Sequence, residues 1–266
     1  MVIVVKAGGR ILEVNMERIL DSIARRRELG VVFVHGGGDI VSRYEKALGI
    51  EPKIVTSPSG IRSRLTDERE LEIYNMVMAG KLGKEMSAYL NHRGVPAVSL
   101  SGVDGKLLQA SRKRRIVVVD ERGRKRMIDG GYTGTITSVN TQLIITIIKN
   151  GYVVIVSPVA MGEEGEMLNV DGDSAASAIA AELKAETLIL LTDVDGVMLD
   201  GQLVKTMTAS QSQQLLERIG PGMNRKVMVA AKAVEAGVGR ACICSGGGDD
   251  PLASVERGAG TIISGL

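Results

Sequence analysis

The sequence predicts an α/β fold with a mostly parallel sheet and helices on both of its faces, on three observations. Short β-branched runs are nearly continuous in apolar residues rather than alternating, the pattern of strands buried on both faces. Helical patterns separate these runs along the whole chain. Several runs end in glycine, where an open α/β sheet turns into its next helix. Strands are expected at 2–5 before Gly8 and Gly9, at 31–34 before Gly36, Gly37 and Gly38, and at 153–156 before Ser157 and Pro158. Two more are expected at 188–191 before Thr192 and Asp193, and at 241–243 before Ser245 and three further glycines. Helices are expected at 18–29, stopping at Gly30, and at 68–91, where Asp67 and Glu70 form a D-x-x-E capping box. Others are expected at 138–150, closed by Lys149, Asn150 and Gly151, and at 173–183, 211–219 and 223–236. One segment breaks the rhythm: 115–119 and 125–128 read as a β-hairpin around the polar turn 120–124. Two lobes sharing the sheet are expected, divided near residue 170.

Composition excludes several classes. With 266 residues, 44% apolar and 24% charged, the chain has a full-sized core and is not disordered. No stretch reaches the ~20 apolar residues that span a bilayer, so no membrane role is expected. The start MVIVVKAGG has no basic n-region and no small-residue cleavage site, so export is not expected and a cytoplasmic location is. The two cysteines, Cys242 and Cys244, are expected on opposite faces of one strand and make neither a disulfide framework nor a zinc site. No Trp and a single Phe leave few stacking platforms for single-stranded nucleic acid. The net charge of +2 hides an asymmetry. Residues 1–133 carry 24 Lys and Arg against 16 Asp and Glu, a balance of +8; residues 134–266 carry 9 against 15, a balance of −6. A field of one sign steers a ligand of the other.

The candidate chemistry lies at the strand ends. Glycine lets the backbone approach a phosphate, and a helix start behind it offers free N–H groups and a positive dipole end. Lys6-Ala7-Gly8-Gly9, His35-Gly36-Gly37-Gly38 and Ser245-Gly246-Gly247-Gly248 in one chain point to a polyphosphate. The sequence contains neither GxxxxGK[ST] nor GxGxxG, so P-loop and dinucleotide readings fall. Phosphoryl transfer needs positive charge on the moving group. Lys6 at the end of a buried strand and Lys226 at a helix start supply candidates; a solvated strand end and a surface lysine are the plainer readings.

Six ordered segments together resemble the amino acid kinase family, in its N-acetylglutamate kinase branch. They are Lys6-x-Gly8-Gly9, His35 to Gly38, Gly60-Ile61-Arg62, Asn169 to Asp173, Leu191 to Val197 and Gly222 to Lys226. The resemblance implies a three-layer α/β/α sandwich with a mainly parallel central sheet. It implies an N-terminal lobe, 1–170, for the acyl acceptor and dimerisation, and a C-terminal lobe, 171–266, for ATP. By resemblance Lys6 and Lys226 would flank the transferred phosphoryl group, with Asp173 organising them. Gly8, Gly9, Gly37 and Gly38 would cradle phosphate. Arg62 would grip the acceptor's α-carboxylate beside Asn169, a fork lysine cannot offer. Asp193, Asp195 and Gly196 would line the nucleotide pocket, and Mg2+ would arrive on ATP with no metal residue named. A carboxylate acceptor is already ionised at pH 7 and needs no general base, so His35 and His92 are read as structural.

Two departures from the branch pattern stand out. Gly60 to Asp67 is two residues longer than G-x-R-V-T-D, with Arg64 extra, and Gly130 to Gly134 is altered. With the basic hairpin they resemble the [LysW]-aminoadipate/[LysW]-glutamate kinases. These phosphorylate 2-aminoadipate or glutamate held by a small acidic carrier of the LysW type, in lysine and arginine biosynthesis. The resemblance implies a carrier surface of Arg64, Arg112, Lys113, Arg114, Arg115, Arg124, Lys125 and Arg126. The alternatives are N-acetyl-L-glutamate kinase acting on the free molecule, a non-catalytic nucleotide sensor, and RNA bound by the hairpin. A homodimer without nucleic acid is expected, and no inhibition by arginine, since the first strand starts at Val2.

Overall fold

The computed structural model describes residues 1–220 and 222–265. An eight-stranded sheet forms its centre. The strands are β1 (Val2–Ala7), β2 (Gly30–His35), β3 (Ala97–Ser101), β4 (Val153–Ser157), β5 (Thr187–Thr192), β6 (Thr206–Thr208), β7 (Arg240–Ser245) and β8 (Thr261–Ser264). Their order is 6-8-7-5-1-2-4-3. Every neighbouring pair is parallel except β7 with β8. The first strand of the chain thus lies in the middle, between β5 and β2.

The period of two in each strand divides the core into two apolar layers. Val4, Val32, Val156 and Leu190 pack on one side against the helices Thr141–Lys149, Gly172–Glu182 and Met223–Glu235. Val5, Phe33, Ile155 and Leu191 pack on the other against Gly9–Ala24, Gly38–Ala47 and Pro251–Glu256. Helices therefore cover both faces, as the apolar runs require. Cys242 and Cys244 both lie in the second layer, buried as free thiols. The expectation of opposite faces is corrected: residues two apart on a strand point the same way.

The first helix also departs from expectation. It starts at Gly9, directly out of the glycine loop, and ends at Ala24 rather than running 18–29. It bends at Asn15, whose φ is −141°. There the Asn15 amide donates to the carbonyls of Gly246 at 2.6 Å and Gly248 at 3.1 Å. Farther along, Arg25 and Arg26 pair with Asp250 at 3.0 and 3.1 Å. The 68–91 helix forms with its capping box: the Glu70 N–H donates to Asp67 at 2.9 Å and the Asp67 N–H to Glu70 at 3.4 Å. It passes through a wide π-type turn, Met76–Leu82, before continuing as Gly83–His92.

Away from the sheet, Arg115–Val119 pairs with Lys125–Asp129 as the expected hairpin. A second hairpin, Ile54–Thr56 with Arg62–Arg64, has no signal in the sequence because its strands are three residues long and the second is wholly polar. Arg64 fastens it. Its guanidinium donates to Glu45 at 2.6 Å, Glu70 at 3.0 Å, the Gly38 carbonyl at 3.0 Å and the Ser42 hydroxyl at 2.5 Å. The Arg64 side chain is 8% exposed. This overturns its assignment to a carrier surface, because the guanidinium is buried and both Nη groups are spent on partners within the fold. Burial pushes the Glu45 carboxyl up, against the pull of Arg64. Removing the guanidinium strands two buried carboxylates, a loss of about 3–5 kcal/mol. Arg64→Met should therefore lower the stability measured by urea unfolding by that amount, whereas Arg62→Met should change it little.

Candidate active site

Three elements converge on one carboxylate. Lys6 leaves β1 on the same side as Val4, and Asp173 and Lys226 sit in the first turns of Gly172–Glu182 and Met223–Glu235. The Lys6 Nζ lies 2.7 Å from Asp173 Oδ1, and the Lys226 Nζ donates to Oδ2 at 2.7 Å. Burial alone would raise the Asp173 carboxyl, but the two ammonium groups outweigh it and hold it well below the usual carboxylate range. Burial would lower Lys6 as well, and Asp173 outweighs that, so its ammonium is held above the ordinary value. Lys226 goes the other way: burial and the charge of Lys6 hold it below a normal lysine.

Bare backbone lies beside this cluster. The Gly36 N–H donates to the Ala7 carbonyl at 2.8 Å. A Cβ on Gly36 would stand 2.9 Å from the Gly9 nitrogen, and one on Gly9 would stand 3.2 Å from the Gly37 Cα. The two glycine loops are pressed together, and only glycine permits it. Gly37 is closed in from behind, since a Cβ there would meet Leu82 at 2.5 Å and Met78 at 2.7 Å, both from the π-type turn. At Gly8 the space a Cβ would take is 3.8 Å from the Lys6 Nζ. His35 has a packing role: its Nδ1 is 3.1 Å from the Gly36 carbonyl and its Nε2 2.7 Å from the Ser157 hydroxyl. A carbonyl only accepts, so Nδ1 carries the proton. Burial pushes His35 down to about 4, leaving it neutral.

A cavity of 640 Å³ opens from Lys6. Gly9, Gly37, Gly38, Arg62 and Asn169 line it, so the structure brings these expected residues together. Asn169 donates to the Thr66 hydroxyl at 2.8 Å. The mouth is built by both hairpins, through Val55, Ser57 and Ser63 of one and Ile116, Val117 and Val118 of the other. Asp193, Asp195 and Gly196 do not line this cavity. Asp193 faces Arg10 at 3.6 Å, and Arg10 also reaches Asp39 at 3.8 Å. Gly196 is buried, and a Cβ there would meet Leu203 at 2.7 Å and Thr261 at 2.8 Å, so packing requires the glycine.

The basic hairpin divides into engaged and free cations. Arg112 stacks on Tyr132, 4.1 Å from the ring centroid, and its Nε donates to the Gly131 carbonyl at 2.7 Å. It is thereby tied to the fold through Nε and the face of its guanidinium. Arg114 pairs with Glu164 at 2.5 Å and Arg126 with Asp120 at 2.9 Å. Lys113, Arg115, Arg122, Arg124 and Lys125 are exposed and have no carboxylate partner among the described residues. Sequence reasoning missed Arg10, Arg225 and Thr133, the last lining the cavity with a buried hydroxyl. Arg225 carried one signal, its place next to Lys226; the other two had none.

The comparisons agree with this geometry. Residues 1–245 match the profile of the amino acid kinase family. A [LysW]-aminoadipate/[LysW]-glutamate kinase of Sulfolobus acidocaldarius is 48% identical over 262 residues, covering 98% of this chain and 99% of that protein. One of Metallosphaera sedula is also 48% identical, covering 98% of this chain and 100% of its own length. The solved carbamate kinase from Giardia lamblia bound to AMP-PNP superposes with a TM-score of 0.71 at 17% identity, covering 100% of this chain and 98% of that one, a likeness of fold. By its profile, its full-length relatives and its three-layer architecture, this chain belongs to the amino acid kinase family.

Proposed function

We propose that this protein transfers the γ-phosphoryl group of ATP to the side-chain carboxylate of 2-aminoadipate or glutamate carried on a small acidic protein of the LysW type. The observation that carries the reading is one of position. The hairpin with the free cations lines the same cavity as Lys6, which Asp173 bridges to Lys226 behind the cavity wall. The names of the 48% identical relatives support it. Residues 1–170 would hold the acceptor and the dimer contact, and residues 171–266 the nucleotide.

The residues fit a polyphosphate. Backbone of Gly9, Gly36, Gly37 and Gly38 and the Lys6 ammonium line one cavity, and the Lys226 ammonium lies one carboxylate away. ATP supplies the phosphoryl group, with Mg2+ carried on its phosphates. Among the described residues no three His, Cys, Asp or Glu side chains assemble into a metal cluster. The acceptor carboxylate, already ionised, forms its bond to phosphorus as the bond to the bridging oxygen of ADP breaks. No proton has to move. Lys6 and Lys226 neutralise the phosphoryl oxygens while Asp173 fixes both ammonium groups. Arg62 at the cavity wall takes the α-carboxylate as a fork, and Asn169 orients the acceptor. Asp193 and Asp195, in the loop after β5, face the nucleotide. The carrier meets Lys113, Arg115, Arg124 and Lys125, with the exposed Val117 and Met127 between them. A soluble biosynthetic enzyme of the cytoplasm, assembled as a homodimer, fits this reading.

Lys6→Ala and Lys226→Ala should each lower kcat by ~100-fold with little change in acceptor KM, since the charge acts on the phosphoryl group in flight. Because Lys226 is held below a normal lysine, kcat should fall as pH rises through that lowered value. Lys226→Arg should move the alkaline limb of the pH profile upward. An unmoved limb would assign it to another group.

The carrier is tested by reversing Arg115, Arg122, Arg124 and Lys125 to Glu together, none of which lines the cavity. kcat/KM for the carrier-borne substrate should fall more than about ten-fold at low salt. The gap should narrow at 1 M salt, where the Debye length shrinks to ~3 Å. Turnover of free N-acetylglutamate, where measurable, should not change. Equal activity of wild type and variant on the carrier-borne acid would sink the docking role. Wild-type preference for free N-acetylglutamate would make the protein an N-acetyl-L-glutamate kinase instead.

A further inference from the structure

We propose that Arg225 is a further catalytic residue, whose guanidinium leaves Asp171 to bind the phosphoryl group as it moves onto the acceptor carboxylate. The inference rests on the carboxylate-kinase reading above.

Position comes first. Arg225 and Lys226 are consecutive in the first turn of Met223–Glu235, so their side chains diverge by about 100°. Lys226 turns to Asp173, and Arg225 turns to the cavity, which it lines together with Lys6, Gly172 and Ser174. The start of Gly172–Glu182, with its positive dipole end, lies along the same wall.

The second observation is how little holds Arg225. Its side chain is 23% exposed, and its Nη2 is 3.1 Å from Asp171 Oδ1. That oxygen already accepts from the Ser174 N–H at 2.8 Å and the Ser174 hydroxyl at 2.9 Å. Asp171 is therefore satisfied as a helix cap whether or not Arg225 stays. Among the described residues Arg225 has no other ion pair, although a guanidinium carries five N–H donors. The buried arginines of the fold are treated differently. Arg64 donates to four groups, and Arg26 forks onto Glu256 at 2.7 and 3.0 Å. A mostly buried guanidinium with spare donors facing a cavity is arranged for an anion that arrives there.

Charge gives the third reason. Lys6 and Lys226 share one carboxylate, so the floor of the site carries a single net positive charge before any nucleotide binds. The Arg225 charge works against the Lys6 ammonium, and in the fold Asp171 and Asp173 offset it. A phosphoryl group between the two cations turns that repulsion into attraction on both sides. As carboxylate oxygen and phosphorus join and the bond to the ADP oxygen breaks, the three phosphoryl oxygens keep their charge and pass to the product. Arg225 would follow them, while Asp171 keeps its cap.

The test compares wild type with Arg225→Met and Arg225→Lys, trapping the acyl phosphate with hydroxylamine and measuring kcat and both KM values. A titration of MgADP with aluminium fluoride in the presence of acceptor reads affinity for the group in flight. In Arg225→Met kcat should fall roughly 100-fold while both KM values stay within about two-fold. The fluoride complex should weaken by a similar factor. Arg225→Lys should recover part of the loss, having charge but no fork. A kcat within about three-fold of wild type overturns the proposal. So does a loss confined to acceptor KM, which would make Arg225 a ground-state clamp. Should Arg225→Met lose its thermal transition, Arg225→Lys and the fluoride titration decide by the same criteria. Wild-type turnover tests the identity of the acceptor, whereas the ratio of variant to wild type tests Arg225 on whichever acceptor wild type uses.

Discussion

A single buried carboxylate between two ammonium groups is the constraint around which the molecule is arranged. Asp173 is reached from the central strand of the sheet by Lys6 and from a helix of the second half by Lys226. Two ammonium groups withdrawn from water side by side are tolerable only while Asp173 lies between them, because without it both charges stay buried and unpaired. The cluster therefore demands that β1, Gly172–Glu182 and Met223–Glu235 meet at one level. The sheet order, with β1 next to β5, brings them there. The glycine loops are a consequence of the same demand: where Lys6 leaves the sheet, neighbouring backbones must approach to 3.2 Å or less of any added side-chain carbon.

The arginines show how one residue type is divided among tasks by its surroundings. Arg64 and Arg26 are saturated and hold elements together. Arg112 stacks and ties. The exposed cations at 113, 115, 122, 124 and 125 lie in water along the hairpin, where they act through their field rather than through fixed geometry. The +8 balance of the first half is thus less available than its count implies.

Much of this was legible in the sequence. Continuous apolar runs betray a parallel sheet because both faces are buried, and the capping box at Asp67 and Glu70 was readable residue by residue. Motif resemblance grouped Lys6, Asp173 and Lys226, which no local pattern could have joined, since 53 to 220 residues separate them. The failures have physical causes. Arg64 looked like surface charge because a sequence does not show which carboxylates will fold over it. The start of the first helix was masked by Gly8 and Gly9, poor helix formers that the loop needs for other reasons. The four-stranded sheet that includes Leu108–Arg112 and Gly134–Val139 was lost among polar residues, where alternation is weak.

The bend at Asn15 has a mechanical meaning. The first helix rises from the glycine loop of the first half, yet its Asn15, Arg25 and Arg26 are bonded to residues 246–250 of the second. Along that seam the two halves are riveted, and β1 and β5 are zipped beside it. Any opening of the molecule must pivot about this line, so the widest travel falls away from it. The same rivets deny either half an independent life. A chain cut near residue 170 would bare the whole flank of β1, six residues of unpaired backbone in the middle of an apolar face, a template for sticking to its own copies.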